Sequence, residues 1–349
     1  MQLTFLQFIR GQLARVPPVV AQDLTGKTVV VVGANAGIGY EATKHFAQMK
    51  PGRLILACRS KSRGEEALEK IKTETGCTTA ELRLVDLTSF ESVSSFAADF
   101  NKDVERLDIL VCNAGVAPIP ENPTTKDGWE MSFQTNHLSP SLLALLLLPK
   151  MAETASIYQT KPRLVMVSSE VHYFTSFKQT MIDSPNPHRL FGSMDYYNPA
   201  TGSFIEGGRR YQDTKLFNVF FTRALASRSA TQNPFVIVNT VNPGFCYSNL
   251  RSRYHGPISW LFNFLMEKAL ARTSEEGSRQ LIWASLGSDK GDEHALHGTY
   301  ISDMQVFEPA DSVVSEDGKK LQNKLWDDLI NELEQVNPHV RDITSRYLK

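Results

Sequence analysis

The sequence predicts an α/β protein built on one doubly wound parallel sheet of about seven strands, with helices on both faces. Three observations carry this expectation. Short apolar runs alternate with helical patterns along most of the 349 residues. The first run, Thr28 to Val32, is wholly β-branched and stops at Gly33. The runs are also continuously apolar rather than alternating, as expected of strands covered on both sides.

Taken in order, Met1 to Ile9 is apolar in part but is broken by Gln7 and followed by Arg10. It is too short for the roughly 20 residues of a membrane span and lacks the flanks of a signal peptide. It reads as an amphipathic segment that docks on the protein itself or makes peripheral contact with a membrane. Val16-Pro17-Pro18-Val19 is an extended linker that closes an N-terminal extension, residues 1–23. Strand candidates follow at Thr28 to Val32, Leu54 to Ala57, Leu82 to Val85, Ile109 to Cys112, Leu164 to Val167 and Val236 to Val241, with Tyr300 and Ile301 as a weaker last one. Between them lie helical patterns at Tyr40 to Gln48, Gly64 to Thr73, Val93 to Phe100, Ser132 to Met151 and Tyr211 to Ala226. The Pro- and aromatic-rich stretch 172–208 breaks the rhythm and is expected as a long loop or lid. Residues 245–273 form a second irregular, apolar substrate-side segment. The domain is expected to span 24–335, with a charged helix around Leu321 to Leu333 and a tail at 336–349.

Thirty-seven basic residues balance thirty-eight acidic ones, so no global field favours nucleic acid or an acidic membrane, and the ligand is expected to be small. The four cysteines, Cys58, Cys77, Cys112 and Cys246, have no paired spacing, and no usable glycosylation sequon occurs. Both facts favour a cytoplasmic, reducing location. His294 and His297 are too few ligands for a metal site, and none is expected.

Gly33-Ala34-Asn35-Ala36-Gly37-Ile38-Gly39 follows a buried strand and opens a helix. Its glycines permit a tight turn and the approach of a pyrophosphate to the positive helix end, the mark of a Rossmann-type dinucleotide site. The second strand ends at Arg59 with no acid in reach. An arginine there suits a 2′-phosphate, so NADP (NADPH) is expected over NAD. Asp86 with Leu87, and Cys112-Asn113-Ala114-Gly115, close the third and fourth strands at the same carboxyl edge. Further on, Tyr211 and Lys215 share a helix face. A phenol titrates near pH ~10, and a cation about 4 Å away contributes roughly 4 kcal/mol, so the phenol could become an acid useful near neutrality. Tyr40 and Lys44 repeat the spacing, so the surroundings must decide between the pairs. Tyr40 follows the phosphate turn directly, with no serine-bearing strand before it, and is read as an ordinary helix residue.

These motifs, together with Thr135-Asn136-His137, Val167-Ser168-Ser169 and Asn242-Pro243-Gly244, resemble the short-chain dehydrogenase/reductase family, in its retinol-dehydrogenase-like branch, over about Leu24 to Leu333. The resemblance implies that Tyr211 exchanges the proton, Lys215 tunes it and holds the nicotinamide ribose, Ser169 binds the substrate oxygen, and Asn136 supports a water. It likewise implies cofactor contacts from Gly33, Asn35, Gly37, Ile38, Gly39, Arg59, Asp86, Leu87, Asn113, Ala114, Gly115, Pro243, Gly244 and Ser248. His172, Tyr173, Phe245 and Trp260 are candidate substrate contacts. Ser168 competes with Ser169, but in the family the second serine is used, and strand alternation lets only one face the crevice.

Val32 and Ala36 replace a threonine and a basic residue frequent in the family, so phosphate recognition leans on Arg59. Tyr211 follows Ser169 by 42 positions, a longer step than many members have. The expected activity is carbonyl–alcohol interconversion on a lipophilic small molecule (terpenoid, polyketide, steroid or retinoid-like). The alternatives are reduction of an activated carbon–carbon double bond and a non-catalytic NADP-binding module. Homodimers or tetramers through the helices bearing Asn136 and Tyr211 are implied by the family.

Overall fold

The computed structural model describes residues 4–118, 123–175, 177, 179–193, 204–229, 235–247 and 267–348. The strands are β1 (Thr28–Val32), β2 (Arg53–Cys58), β3 (Ala80–Leu84), β4 (Ile109–Cys112), β5 (Arg163–Val167), β6 (Ile237–Val241), β7 (Tyr300–Ser302) and β8 (Gln305–Phe307). They form one sheet in the order β3-β2-β1-β4-β5-β6-β7-β8. All neighbours are parallel except β7 with β8. The short β8 is an addition to the seven expected strands. It is a return hairpin of three residues with its first two exposed, so no buried apolar run marked it.

Strand alternation divides the core in two. Val30, Val32, Leu110 and Met166 pack on one side, and Val29, Val31, Val111 and Val167 on the other. The second face is covered by α2 (Gly37–Gln48), α3 (Lys61–Thr75) and the helix Ser274–Leu286. The first carries α4 (Phe90–Asp103), α6 (Ser139–Tyr158) and α9 (Phe204–Ser229). Sequence order reverses between β1 and β4, so the crevice opens at the carboxyl ends of those strands, beside Gly33 and Asn113.

Among the described residues, the segment Met131–Tyr158 is long and apolar enough to cross a membrane. It is a core element here: Leu142 to Leu148 are all buried in this chain. The helices Glu316–Val336 and His339–Tyr347 lie over α9 and α6 respectively. Residues 336–349, expected as a tail, therefore contribute Val340, Ile343 and Leu348 to the core. These two helices pack against the two helices through which subunits were expected to associate.

The insertion also departs from a loop. Its described part forms a 3-10 turn (Glu170–Phe174) and two short helices, α7 (Gln179–Asp183) and α8 (Pro187–Gly192). Met181, His188 and Phe191 are buried. Arg189 pairs with Glu332 at 2.6 Å, and Lys324 Nζ donates to the Ile182 carbonyl at 2.5 Å. These contacts fix residues 179–193 to the C-terminal helix. Of the aromatics that suggested a lid, Phe191 faces inward, whereas Phe174 is 52% exposed.

Candidate active site

The phosphate turn is closed by two glycines that admit no side chain. Gly33 has a φ of +82°, and a Cβ there would lie 2.9 Å from Ala114. A Cβ on Gly39 would lie 2.2 Å from the Gly33 carbonyl oxygen and 2.4 Å from Asn113 Nδ2. Asn113 Nδ2 itself donates to the carbonyls of Val32 and Gly33 at 3.3 and 3.2 Å. The turn and the fourth strand are thus locked together. Helix α2 opens without a side-chain cap at Ala36, leaving its N-terminal dipole to an incoming anion. Beside it, Arg59 is exposed in a cleft of about 600 Å³ that Asp86, Thr88, Ser92 and Lys126 also line. The glycine cradle, the uncapped helix end and the exposed guanidinium suit a dinucleotide with an extra phosphate.

The four candidate catalytic residues come from β4's neighbouring elements and from α9. Asn136 lies in a π turn, Gln134–Leu138, between the short helix α5 (Met131–Phe133) and α6. Such a turn releases carbonyls from the usual helical ladder. Here the Asn136 carbonyl accepts Asn218 Nδ2 at 3.0 Å. The Asn136 side chain is held by Val116, whose N–H donates at 2.7 Å and whose carbonyl accepts at 2.9 Å, and by Thr214 Oγ1 at 3.1 Å. Ser168 is buried and donates to the Lys215 carbonyl at 2.7 Å. The less buried Ser169 caps the 3-10 turn at the end of β5. Alternation thus separates a structural serine from one at the crevice.

Lys215 is 3% exposed, and its Nζ donates to the Val167 carbonyl at 3.0 Å. Burial pushes its pKa down to about 8. The ammonium lies 5.5 Å from the centre of the Tyr211 ring. A Cβ on Gly115 would be 3.3 Å from Asn136 Oδ1 and 3.6 Å from Lys215 Nζ, so the fourth-strand loop, the π turn and α9 converge at that glycine. The duplicate pair behaves otherwise. Lys44 and Tyr40 both bind Glu74, at 2.5 and 3.3 Å, and burial with the Glu74 charge raises the Tyr40 phenol to about 12.

Several expected substrate contacts sit elsewhere. His172 is fully buried; its Nδ1 donates to the Ser169 carbonyl at 2.7 Å and its Nε2 accepts the Ala310 N–H at 3.3 Å. Burial lowers its pKa to about 4, so it is neutral. With both nitrogens engaged it is a packing residue, which corrects its assignment as a substrate contact. Tyr173 donates to the Glu308 carbonyl at 2.5 Å and packs edge-on against Tyr300. Phe245 remains partly exposed beside the Pro243-Gly244 turn. Ser248 and Trp260 lie outside the described residues.

Sequence reasoning missed a buried polar chain behind the site. Asn218 Nδ2 points at the carbonyls of Asn136 and Val167, which fixes its Oδ1 toward His137 Nδ1 at 3.1 Å. His137 Nε2 is 3.3 Å from His188 Nε2, and His188 Nδ1 is 2.7 Å from Asp328 Oδ2. With acceptors at both ends, His137 and His188 each donate from Nδ1, to Asn218 Oδ1 and Asp328 Oδ2. Burial keeps His137 neutral. Polar residues at 214, 215, 218 and 222 along an otherwise apolar stretch of α9 were the signal available in the sequence. Glu170 was missed as well. Its carboxyl is raised to about 7 by burial, then by Asp303, against Arg272.

The family model for short chain dehydrogenases matches residues 27–181. The chain is 35% identical over 336 residues to the short chain dehydrogenase/reductase dmxR8 of Cryptosporiopsis sp., covering 95% of this chain and 98% of that one. It is 33% identical over 307 residues to retinol dehydrogenase 11 of Mus musculus, covering 87% and 85%. The fold is similar to that of salutaridine reductase from Papaver somniferum (TM-score 0.57, 21% identity, 78% of this chain and 99% of that one). It is also similar to a short chain dehydrogenase from Shigella flexneri complexed with NADP (TM-score 0.56, 20% identity, 81% and 100%).

Proposed function

Because the chain belongs to the short-chain dehydrogenase/reductase family, in its retinol-dehydrogenase-like branch, we propose that this oxidoreductase uses NADP(H) to interconvert a carbonyl and an alcohol on a lipophilic small molecule. The observation that carries the proposal is the convergence at Gly115, where Asn136 and Lys215 approach the same glycine of the cofactor-side loop. The exposed Arg59 in the cleft beside Asp86 supports NADP over NAD. The partly exposed Phe245 and the exposed Tyr247 support an apolar substrate.

When bound, the nicotinamide supplies or accepts the hydride. The Ser169 hydroxyl donates a hydrogen bond to the substrate oxygen, where negative charge develops during reduction. The Tyr211 hydroxyl delivers the proton to that oxygen, and takes it back in the oxidative direction. Lys215, anchored on the Val167 carbonyl, sets a positive charge beside the phenol. Asn136 and Asn218 hold the π turn against α9, keeping these groups in register. The four cysteines are free and buried, which supports a reducing, cytosol-facing location.

The test is NADPH oxidation with a panel of lipophilic ketones and aldehydes, repeated with NADH and with Tyr211→Phe. A preference for NADPH and a fall of at least ~100-fold in kcat for the variant are expected; equal rates in wild type and variant would remove the mechanism. Deuterated NADPH separates carbonyl reduction, which labels a carbinol carbon, from double-bond reduction, which labels a former alkene carbon.

A further inference from the structure

The N-terminal helix α1 (Phe5–Leu13) is tied to the carboxyl edge of the sheet by side chains that a loosely docked extension would not need. Gln12 and Arg272 are 8% and 6% exposed. Arg272 Nη2 donates to the Gly11 carbonyl at 2.5 Å and to Asp303 Oδ1 at 2.7 Å. Gln12 Nε2 donates to Glu170 Oε1 at 3.1 Å, and Glu170 directly follows Ser169. A Cβ on Gly244 would lie 2.9 Å from Arg272 Nη1 and 3.4 Å from Gln12 Nε2. Gln12 therefore bonds the residue beyond the candidate serine and lies beside the glycine of the cofactor-side turn, where Arg272 also approaches. From the opposite side Asn242 Oδ1 accepts the N–H groups of Glu170 at 3.1 Å and Gly244 at 3.0 Å. Phe8 packs edge-on against Phe245, with ring centres 6.4 Å apart. Beyond the helix, Arg279 Nη1 holds the carbonyls of Val16 and Pro17 at 3.1 and 3.2 Å.

We propose that α1 is a wall of the active site: Gln12 and Arg272 are positioning residues that hold Ser169-Glu170 against Pro243-Gly244, and Phe8 with Phe245 screens the reacting end of the cofactor from water. This rests on the cofactor reading given above. Polar groups on rigid elements hold a constellation in place, and apolar cover strengthens the electrostatics within it.

The experiment uses the full chain and NADPH alone, by fluorescence titration, so its readout does not depend on turnover. The variants are Phe8→Ala, Gln12→Ala and Arg272→Met, with Arg272→Lys as the conservative rescue and Leu6→Ala, on a side chain 74% exposed, as control. Wild type is expected to enhance NADPH emission by shielding the nicotinamide. Phe8→Ala and Gln12→Ala are expected to lower that enhancement at least twofold while changing Kd less than threefold, with Leu6→Ala matching wild type. Arg272→Lys is expected to recover part of what Arg272→Met loses. Unchanged emission in folded Phe8→Ala and Gln12→Ala proteins that still bind NADPH overturns the wall and leaves the cofactor reading standing. A wild-type protein that binds no NADPH overturns both. Normal shielding with no carbonyl turnover overturns only the assigned reaction.

Discussion

Replacing Lys215 by Met should reverse the stability ranking of the two proteins across the alkaline range. Burial holds the Lys215 pKa at about 8, against 10.5 for the exposed group. At roughly 1.36 kcal/mol per pH unit this is a penalty of about 3 kcal/mol on the charged folded state. The folded value lies below the unfolded one, so between pH 8 and 10.5 the unfolded chain binds more protons and wild-type stability rises with pH. Below pH 8 both states are charged and the whole penalty is present. The variant escapes it but loses the bond to the Val167 carbonyl, worth about 1 kcal/mol. At pH 7 Lys215→Met is therefore expected to be more stable by about 2 kcal/mol, and above pH 10.5 less stable by about 1 kcal/mol. Urea unfolding from pH 6 to 10.5 measures the difference directly. A variant that is less stable at pH 7, or a gap that does not change with pH, would refute the idea that the site holds a costly buried ammonium. Such a cost is what a group kept for chemistry rather than for folding would show.

Asp328→Asn removes the carboxylate that accepts the His188 backbone and Nδ1 N–H groups, both at 2.7 Å, while keeping the shape. A loss of about 2 kcal/mol in urea unfolding at pH 7 is expected; a loss below ~0.5 kcal/mol would show that the carboxylate does not hold His188 in place. The chain should also sediment as a 39.1 kDa monomer, because Leu321, Leu325, Trp326 and Leu329 cover α9 and Val340 and Ile343 cover α6. Trp326 stacks on Phe221 at 6.1 Å with the Arg228 guanidinium 4.8 Å from its ring centre. A doubled mass at micromolar concentration would show that association uses another face.

Much of the fold was legible because local chemistry is enough to specify it. The run Thr28 to Val32 must be a covered strand, and Gly33 with Gly39 must close a turn that no side chain could enter. The order of Asn136, Ser169, Tyr211 and Lys215 was equally readable, since motif and position travel together along the chain. Its spacing alone was not: Tyr40 and Lys44 have the same four-residue step and end on Glu74 at the surface. His172 looked like a pocket residue because an aromatic histidine beside a serine has no sequence mark of burial. Only the fold takes up both nitrogens, on the Ser169 carbonyl and the Ala310 N–H, with Tyr300 packed edge-on against the ring.

The sequence by itself determined the sheet, the dinucleotide turn and the identity of the catalytic candidates, since each rests on residue types within a few positions of one another. Tertiary structure alone decided what surrounds them. It fixed residues 179–193 to the helix Glu316–Val336 where a lid was expected, laid the C-terminal helices over α9 and α6, linked Asp328 to Asn136 through two histidines and Asn218, and brought Gln12 to Glu170 from 158 positions away. Those contacts join segments distant in the chain, and their partners are set by how apolar faces are buried rather than by any local pattern.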